Sequence, residues 1–277
     1  MKEKYIKSPL NYVGGKYKLL KDIIPLFPEK INTFVDLFGG GFNVGVNVNA
    51  ERIIYNELCN QVVELMNYLK DKPTEKLLKE IDDLVSDYKL SKENRSGFLR
   101  LREEYNNNPT PIKFYTLICY AFNYQIRFNQ QGKYNMPFGK DRSSFNPSLR
   151  QKFIEFCGRL HNIECVFMNN DFSTLDFTNF TDLDLVYCDP PYFNSVATYN
   201  EQDGWTDKNE TTLLGILDAL NDSGVKFALS NNLKYDNALL SNWKNKYHVH
   251  YLNGDYSNCN YQKKDKSKDI EVLITNY

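Results

Sequence analysis

The chain has 277 residues, 42% of them hydrophobic, enough to bury a sizeable core in one large domain or two. A formal net charge of −1 excludes a global basic field, so any polyanion must be met by local patches. Six scattered cysteines without a C-x-x-C pair and three histidines without H-E-x-x-H argue against a disulfide frame or a bound metal. No apolar run is long enough for a membrane span. The charged start Met1–Lys7 has no apolar stretch behind it, so the expected setting is a cytoplasm that keeps thiols reduced.

In chain order, Pro9-Leu10-Asn11-Tyr12-Val13-Gly14-Gly15-Lys16 comes first, with Lys16 opening a helix that ends near Phe27-Pro28. A lysine beside the N–H groups of a helix start favours an anion. Phe34–Leu37 reads as a buried strand running into Phe38-Gly39-Gly40-Gly41, with Gly45 in a following helix. Glycines allow a close backbone approach to a ligand. The next strand, Ile53–Tyr55, delivers Asn56 and Glu57, an acid suited to a ribose diol; a NAD-binding unit would share this arrangement. No G-x-x-x-x-G-K-[ST] supports an ATPase. Val62, Val63, Leu65, Met66 and Leu69 then have helical spacing.

From about Lys70 to His161 the strand–helix alternation stops. Leu77, Leu78, Ile81, Leu84 and Val85 are helix-spaced, as are Phe98, Leu99, Leu101 and then Phe114, Leu117, Ile118. Asn123–Pro147 is polar and turn-rich, with Gly132, Pro137 and Gly139, and predicts a hairpin or long loop. Between Thr110 and Lys152 the bases Lys113, Arg127, Lys133, Lys140, Arg142, Arg150 and Lys152 face a single acid, Asp141.

Alternation then resumes. Val166–Met168, Leu183–Cys188, Phe227–Leu229, Val249–Tyr251 and Glu271–Ile274 predict strands, with helices at Glu210–Asn221 and Tyr235–Asn245. His248 and His250 alternate along one of those strands, and Lys263–Lys268 reads as a solvated loop. The expected class is α/β with a largely parallel sheet. Residues 1–69 and 161–277 would form it, and 70–160 a mostly helical insertion.

Asp189-Pro190-Pro191-Tyr192 directly follows the strand Leu183–Cys188, at the sheet edge where α/β proteins bind ligands. Proline fixes its own φ and restricts its predecessor, so the Asp189 carboxylate and the Pro190 carbonyl become two fixed acceptors beside an aromatic face. Such a corner suits a planar ring bearing an amino group. The expectation is a carboxylate open to a nucleoside pocket rather than locked in an internal ion pair.

Taken together these motifs resemble, over nearly the whole chain, the Dam-type (D12 class, alpha group) DNA adenine-N6 methyltransferases. That family runs P-L-x-[WY]-x-G-G-K, then F-x-G-G-G, a recognition domain, and D-P-P-Y. The insertion matches too, through Phe122-Asn123-Tyr124-Gln125-Ile126-Arg127-Phe128-Asn129 and Gly132-Lys133-Tyr134-Asn135-Met136-Pro137-Phe138-Gly139-Lys140. The resemblance implies a Rossmann-like sheet that uses S-adenosyl-L-methionine, releases S-adenosyl-L-homocysteine and needs no metal.

By position it implies that Tyr12 and Lys16 help hold the cofactor, that Asp36, Phe38, Gly39 and Gly41 line its methionine end, that Glu57 takes the ribose hydroxyls and that Asp171-Phe172 hold its adenine, with Asp189 nearby. Asp189, Pro190, Pro191 and Tyr192 become the catalytic loop for an adenine flipped out of duplex DNA. Arg127 would read a guanine, Asn123 and Gln125 lie at base-contact or intercalation positions, Pro137 lies near a thymine methyl, and Lys140 meets phosphate. Asn11, Asn129 and Arg142 complete the DNA-facing set. Asp36-Leu37 stands where the family has glutamate-proline, Cys59 where it has asparagine, and Asn11 where some GATC enzymes have lysine. GATC or another GAT-containing site is the expected target. The expected partners are double-stranded DNA and a cognate restriction endonuclease without direct contact, for a monomer. The rival readings are an RNA or protein amide methyltransferase and a DNA-binding regulator without turnover.

Overall fold

The computed structural model describes residues 5–193, 204–252 and 270–277, so the Lys263–Lys268 loop lies outside the described residues. In chain order the elements begin with α1 (Leu20–Ile23), β1 (Thr33–Asp36), β2 (Arg52–Asn56), α2 (Asn60–Asp71), α3 (Thr74–Asp87), α4 (Arg95–Asn107), α5 (Pro111–Tyr120) and α6 (Pro147–His161). They continue with β3 (Cys165–Met168), β4 (Leu185–Cys188), α7 (Asp207–Asp222), β5 (Lys226–Asn232), α8 (Ala238–Trp243), β6 (His248–Tyr251) and β7 (Glu271–Thr275). The chain divides into two compact units: Lys16–Gly39, Asn47–Leu58 and Glu164–Tyr277 form one, and Met1–Gly15, Gly40–Val46 and Cys59–Ile163 the other.

The first unit is built on a seven-stranded sheet in the order β3-β2-β1-β4-β5-β7-β6. Strands β3, β2, β1, β4 and β5 pair in parallel, and β7 runs antiparallel to both β5 and β6. The chain steps outward from β1 to β2 to β3 and then returns to the other side of β1 as β4. Strand order therefore reverses between β1 and β4, a switch point of the kind at whose carboxyl ends α/β sheets bind ligands.

The strands read as near-continuous apolar runs because both sheet faces are covered. Val35, Leu37, Val186, Cys188, Phe227, Leu229, Val272 and Ile274 pack with Leu213, Leu217 and Leu220 of α7 and with Leu240 and Trp243 of α8. On the other face Phe34 and Tyr187 stack, with Phe27 against both.

Local chemistry moves several predicted boundaries. Strand β4 starts at Leu185, because Asp184 turns aside to accept from Thr33 N (2.8 Å) and Thr181 N (2.8 Å). Helix α8 starts at Ala238, where Asn237 caps Leu240 N at 2.9 Å. The helix expected at Lys16 is a 3-10 turn (Lys16–Leu19), the four-residue α1 and a second 3-10 turn (Ile24–Leu26) containing Pro25. Gly45 lies in a 3-10 turn, Gly45–Asn47, rather than in an α-helix. Its neighbours Asn43, Val44, Val46 and Asn47 are weak helix formers.

The second unit is helical. Pro111 and Pro147 open α5 and α6 behind capping side chains, Thr110 on Lys113 N and Asn146 on Leu149 N. Eight of the ten α5 residues are buried, since α5 meets α2, α3 and α4. The predicted hairpin forms between α5 and α6 through antiparallel bridges Ala121–Phe138 and Phe128–Tyr134. Tyr134 anchors it: its ring meets Tyr105, Phe114 and Phe128, and Asn106 brackets its backbone with bonds of 2.9 and 3.1 Å.

Candidate functional site

In the sheet unit the predicted residues gather at the carboxyl ends of the parallel strands. Strand β1 ends in buried Asp36 and leads to Phe38 and Gly39, whose N–H donates to Asn56 O at 2.8 Å. A Cβ at Gly39 would lie 2.2 Å from the Tyr55 ring, so only glycine lets the chain leave β1 along this path. Asn56 ties three strand ends together: its amide donates to Leu37 O and Asn170 O, and its Oδ1 accepts from Asn170 N. Next to it, half-buried Glu57 follows β2, its N–H bound to Met168 O.

After β3, Asp171 caps the turn Phe172–Thr174 by accepting from the Ser173 N–H and hydroxyl. Phe172 is buried against Phe38 and Trp205, with ring centroids 5.3 to 5.6 Å apart within the trio. The indole N–H of Trp205 donates to buried Glu210, which also accepts from Asn237.

Strand β4 is buried throughout and delivers Asp189, buried Pro190 and Pro191, and half-buried Tyr192. The Asp189 carboxylate is not open as expected: Oδ1 pairs with Lys16 Nζ at 2.7 Å, with the two side chains 18% and 3% exposed. The buried Lys16 cation thus finds its anion within the chain. Burial pushes the Asp189 carboxyl up from its ordinary value, and Lys16 opposes that shift. The pair uses Oδ1, and the Asp189 side chain keeps 18% of its surface exposed.

Lys16 Nζ also lies 5.0 Å from the Tyr192 ring centroid, and Tyr192 tilts against Tyr235. The Tyr192 hydroxyl donates to Glu271 Oε2 at 3.0 Å, and Asn232 Nδ2 donates to Glu271 Oε1 at 2.8 Å. Burial raises the Glu271 carboxyl pKa; Lys16 lowers it and Asp189 raises it further.

Sequence reasoning assigned no role to Asn56, Trp205, Asn232 or Glu271. For Glu271 a signal existed, an acid opening an otherwise apolar strand.

In the helical unit Tyr12 lies over the glycine run. A Cβ at Gly40 (φ +48°) or Gly41 would come within 3.0 or 3.2 Å of its side chain. Asn11 Nδ2 donates to Asn123 O at 2.7 Å, joining the first segment to the hairpin. Asn123 and Tyr124 both hold left-handed φ, 54° and 56°, and leave Asn123 exposed. Arg127 is exposed, its Nε on Asn135 Oδ1 (2.8 Å) and its Nη2 on Asn135 O (3.0 Å).

Asn129 works locally, since its Oδ1 accepts from Gln131 N and Lys133 N to close the hairpin turn. Pro137, Lys140 and Arg142 are exposed, with the Arg142 guanidinium 6.0 Å over exposed Phe122, while Gln125 is half-buried. The local charge count is smaller than the sequence window indicates. Arg150 pairs with both Asp82 oxygens, and Lys113 with Glu104, acids from α3 and α4 outside that window.

Among the described residues no cluster of three or more His, Cys, Asp or Glu is placed to hold a metal. Cys59, Cys119, Cys157, Cys165 and Cys188 form no disulfide among the described residues, and Cys259 lies outside them. No helix among the described residues is long and apolar enough to cross a membrane.

Comparison with known proteins accords with this geometry. The chain is 48% identical over 280 residues to "Type II methyltransferase M.FokI" of Planomicrobium okeanokoites, covering 99% of the chain and 43% of that protein. It is 42% identical over 284 residues to "Modification methylase StsI" of Streptococcus sanguinis, again covering 99% and 43%. It thus spans less than half the length of these two relatives. It is also 26% identical to "DNA adenine methylase" of Escherichia coli K12, over 88% of the chain and 86% of that protein. A sequence model of the D12 class N6 adenine-specific DNA methyltransferases matches residues 12–258. With a mixed α/β sheet whose strand order reverses beside the Asp-Pro-Pro-Tyr corner, the chain belongs to the D12 class N6 adenine-specific DNA methyltransferase family.

Proposed function

We propose that this chain transfers a methyl group to the N6 amine of an adenine flipped out of a short duplex site, GAT-containing and first to be tested as GATC. The observation that carries this reading is the corner after β4: an acid held by a buried lysine, two prolines and an anchored tyrosine at the switch point of the sheet. S-adenosyl-L-methionine supplies, when bound, the electrophilic methyl on its sulfonium. The chain's residues fit that group. Glu57 presents a carboxylate to a ribose diol, and Phe38 and Phe172 offer an aromatic wall beside Asp171 and Asp36.

The N6 lone pair of adenine is delocalised into its ring, so the amine is a weak nucleophile. Asp189 and the Pro190 carbonyl accept its two hydrogens, drawing the nitrogen toward tetrahedral geometry and stabilising charge that grows only in the transition state. Lys16 favours the ionised form of Asp189 against its burial and engages Oδ1, which leaves Oδ2 for the base. Tyr192 stacks on the extruded ring. Flipping costs on the order of a few kcal/mol and stacking returns roughly 1–3 kcal/mol per base. DNA contacts elsewhere must supply the difference.

The hairpin of the helical unit provides them. Asn135 occupies the Nε–Nη2 edge of Arg127, which leaves the end-on pair of Nη groups for a guanine in the major groove. Lys140 and Arg142 meet phosphate, Asn123 and Gln125 approach the bases, and Pro137 approaches a thymine methyl. Asn11 and Asn129 support the hairpin. Similarity to a type II methyltransferase, M.FokI, and a modification methylase, StsI, favours a modification role.

Incubation with tritiated cofactor and, separately, duplex DNA, RNA and protein tests the reading. Label on duplex adenine is expected. Label confined to RNA or protein, or on no substrate, overturns it.

A further inference from the structure

Glu271 opens β7 and is 4% exposed, yet its side chain leaves the apolar pattern of that strand to reach across the sheet edge. Register pairs Glu271 with Asn232 at the end of β5, and the two side chains bond directly. Its other oxygen accepts the phenol hydroxyl of Tyr192, 79 residues away in the chain. Both partners donate, and the Glu271 carboxylate accepts from each on a separate oxygen. The Tyr192 ring is thereby held at its far end by β7, while Pro190 and Pro191 hold its backbone. The ring lies 5.0 Å from Lys16 Nζ, which pairs with Asp189. The tether on the hydroxyl thus fixes the direction of the ring axis relative to the acceptor oxygen.

We infer that Glu271 is a positioning residue for methyl transfer, holding the Tyr192 ring through its hydroxyl so that a flipped adenine stacks with N6 against Asp189. This rests on the reading of the chain as an adenine methyltransferase. Acting through Tyr192, Glu271 itself touches neither base nor cofactor.

The test uses the full chain, tritiated S-adenosyl-L-methionine, and duplex DNA with adenine or with 2-aminopurine at the target. Losing a hydrogen bond to a buried charge lowers kcat by about tenfold. Glu271→Ala is expected to show that loss with unchanged cofactor affinity. It should also raise the 2-aminopurine emission as the ring stacks less. Glu271→Gln, which can accept from Asn232 and donate to the phenol oxygen, is expected to recover most of the rate. Tyr192→Phe should match Glu271→Ala, and the double variant should be no slower than either.

Additive losses in the double variant, or Glu271→Ala within twofold of the unaltered chain, overturn the inference. Should Glu271→Ala fail to fold, Tyr192→Phe decides alone, because unchanged kcat and emission there leave the tether without a role. If the unaltered chain methylates no adenine, the underlying reading fails instead.

Discussion

Replacing Lys16 by methionine keeps most of the buried side-chain volume and removes the cation. The ammonium lies 2.7 Å from Asp189 Oδ1 and is 3% exposed. At an effective dielectric near 20 that separation corresponds to an attraction of about 6 kcal/mol. Desolvation of both groups offsets much of it, and removing one partner of a buried pair costs roughly 3–5 kcal/mol. The sign with pH follows from Asp189. Burial raises its folded pKa above the unfolded value, so it binds its proton more tightly when folded, and its contribution to folding grows as pH falls through that folded value.

Without Lys16 the carboxyl loses the group that holds its pKa down and neutralises at still higher pH. Lys16→Met should therefore show its full deficit near pH 8 and a smaller one near pH 5, read from urea unfolding midpoints at equal m. A deficit under about 1 kcal/mol at the higher pH, or one that widens on acidification, would refute the reasoning.

Asp189→Ala should abolish methyl transfer and leave much of the DNA affinity, measured by filter binding beside the turnover assay; near-normal turnover contradicts the proposed chemistry. Arg127→Ala should relax discrimination at one guanine by about 1–3 kcal/mol, read by competition among single-base variants of the site. Equal weakening on every sequence would make Arg127 a phosphate contact. Gly39→Ala drives a Cβ to within 2.2 Å of the Tyr55 ring and should destabilise the sheet unit by about 1–3 kcal/mol in urea unfolding. Asn146→Ala removes the cap on Leu149 N and should cost about 1 kcal/mol in the same assay, with turnover per folded molecule unchanged.

The amino-acid order by itself determined what depends on near neighbours. Apolar runs located all seven strands, with β5 extending three residues past its predicted end, helical spacing marked the helices between residues 70 and 160, and turn residues placed the hairpin. The Asp-Pro-Pro-Tyr corner was legible because proline restricts its own backbone and that of the residue before it.

Where local chemistry competed, boundaries moved: Asp184 shortened β4, Asn237 delayed α8, and Pro25 falls in the 3-10 turn that ends the Lys16 segment. Only the tertiary structure decided the partners. Lys16 meets Asp189, Glu271 meets Tyr192, and Asp82 takes Arg150 out of the basic set because strand register and helix packing bring distant segments side by side. A charge's partner is set by distance in space, and no spacing along the chain encodes that distance.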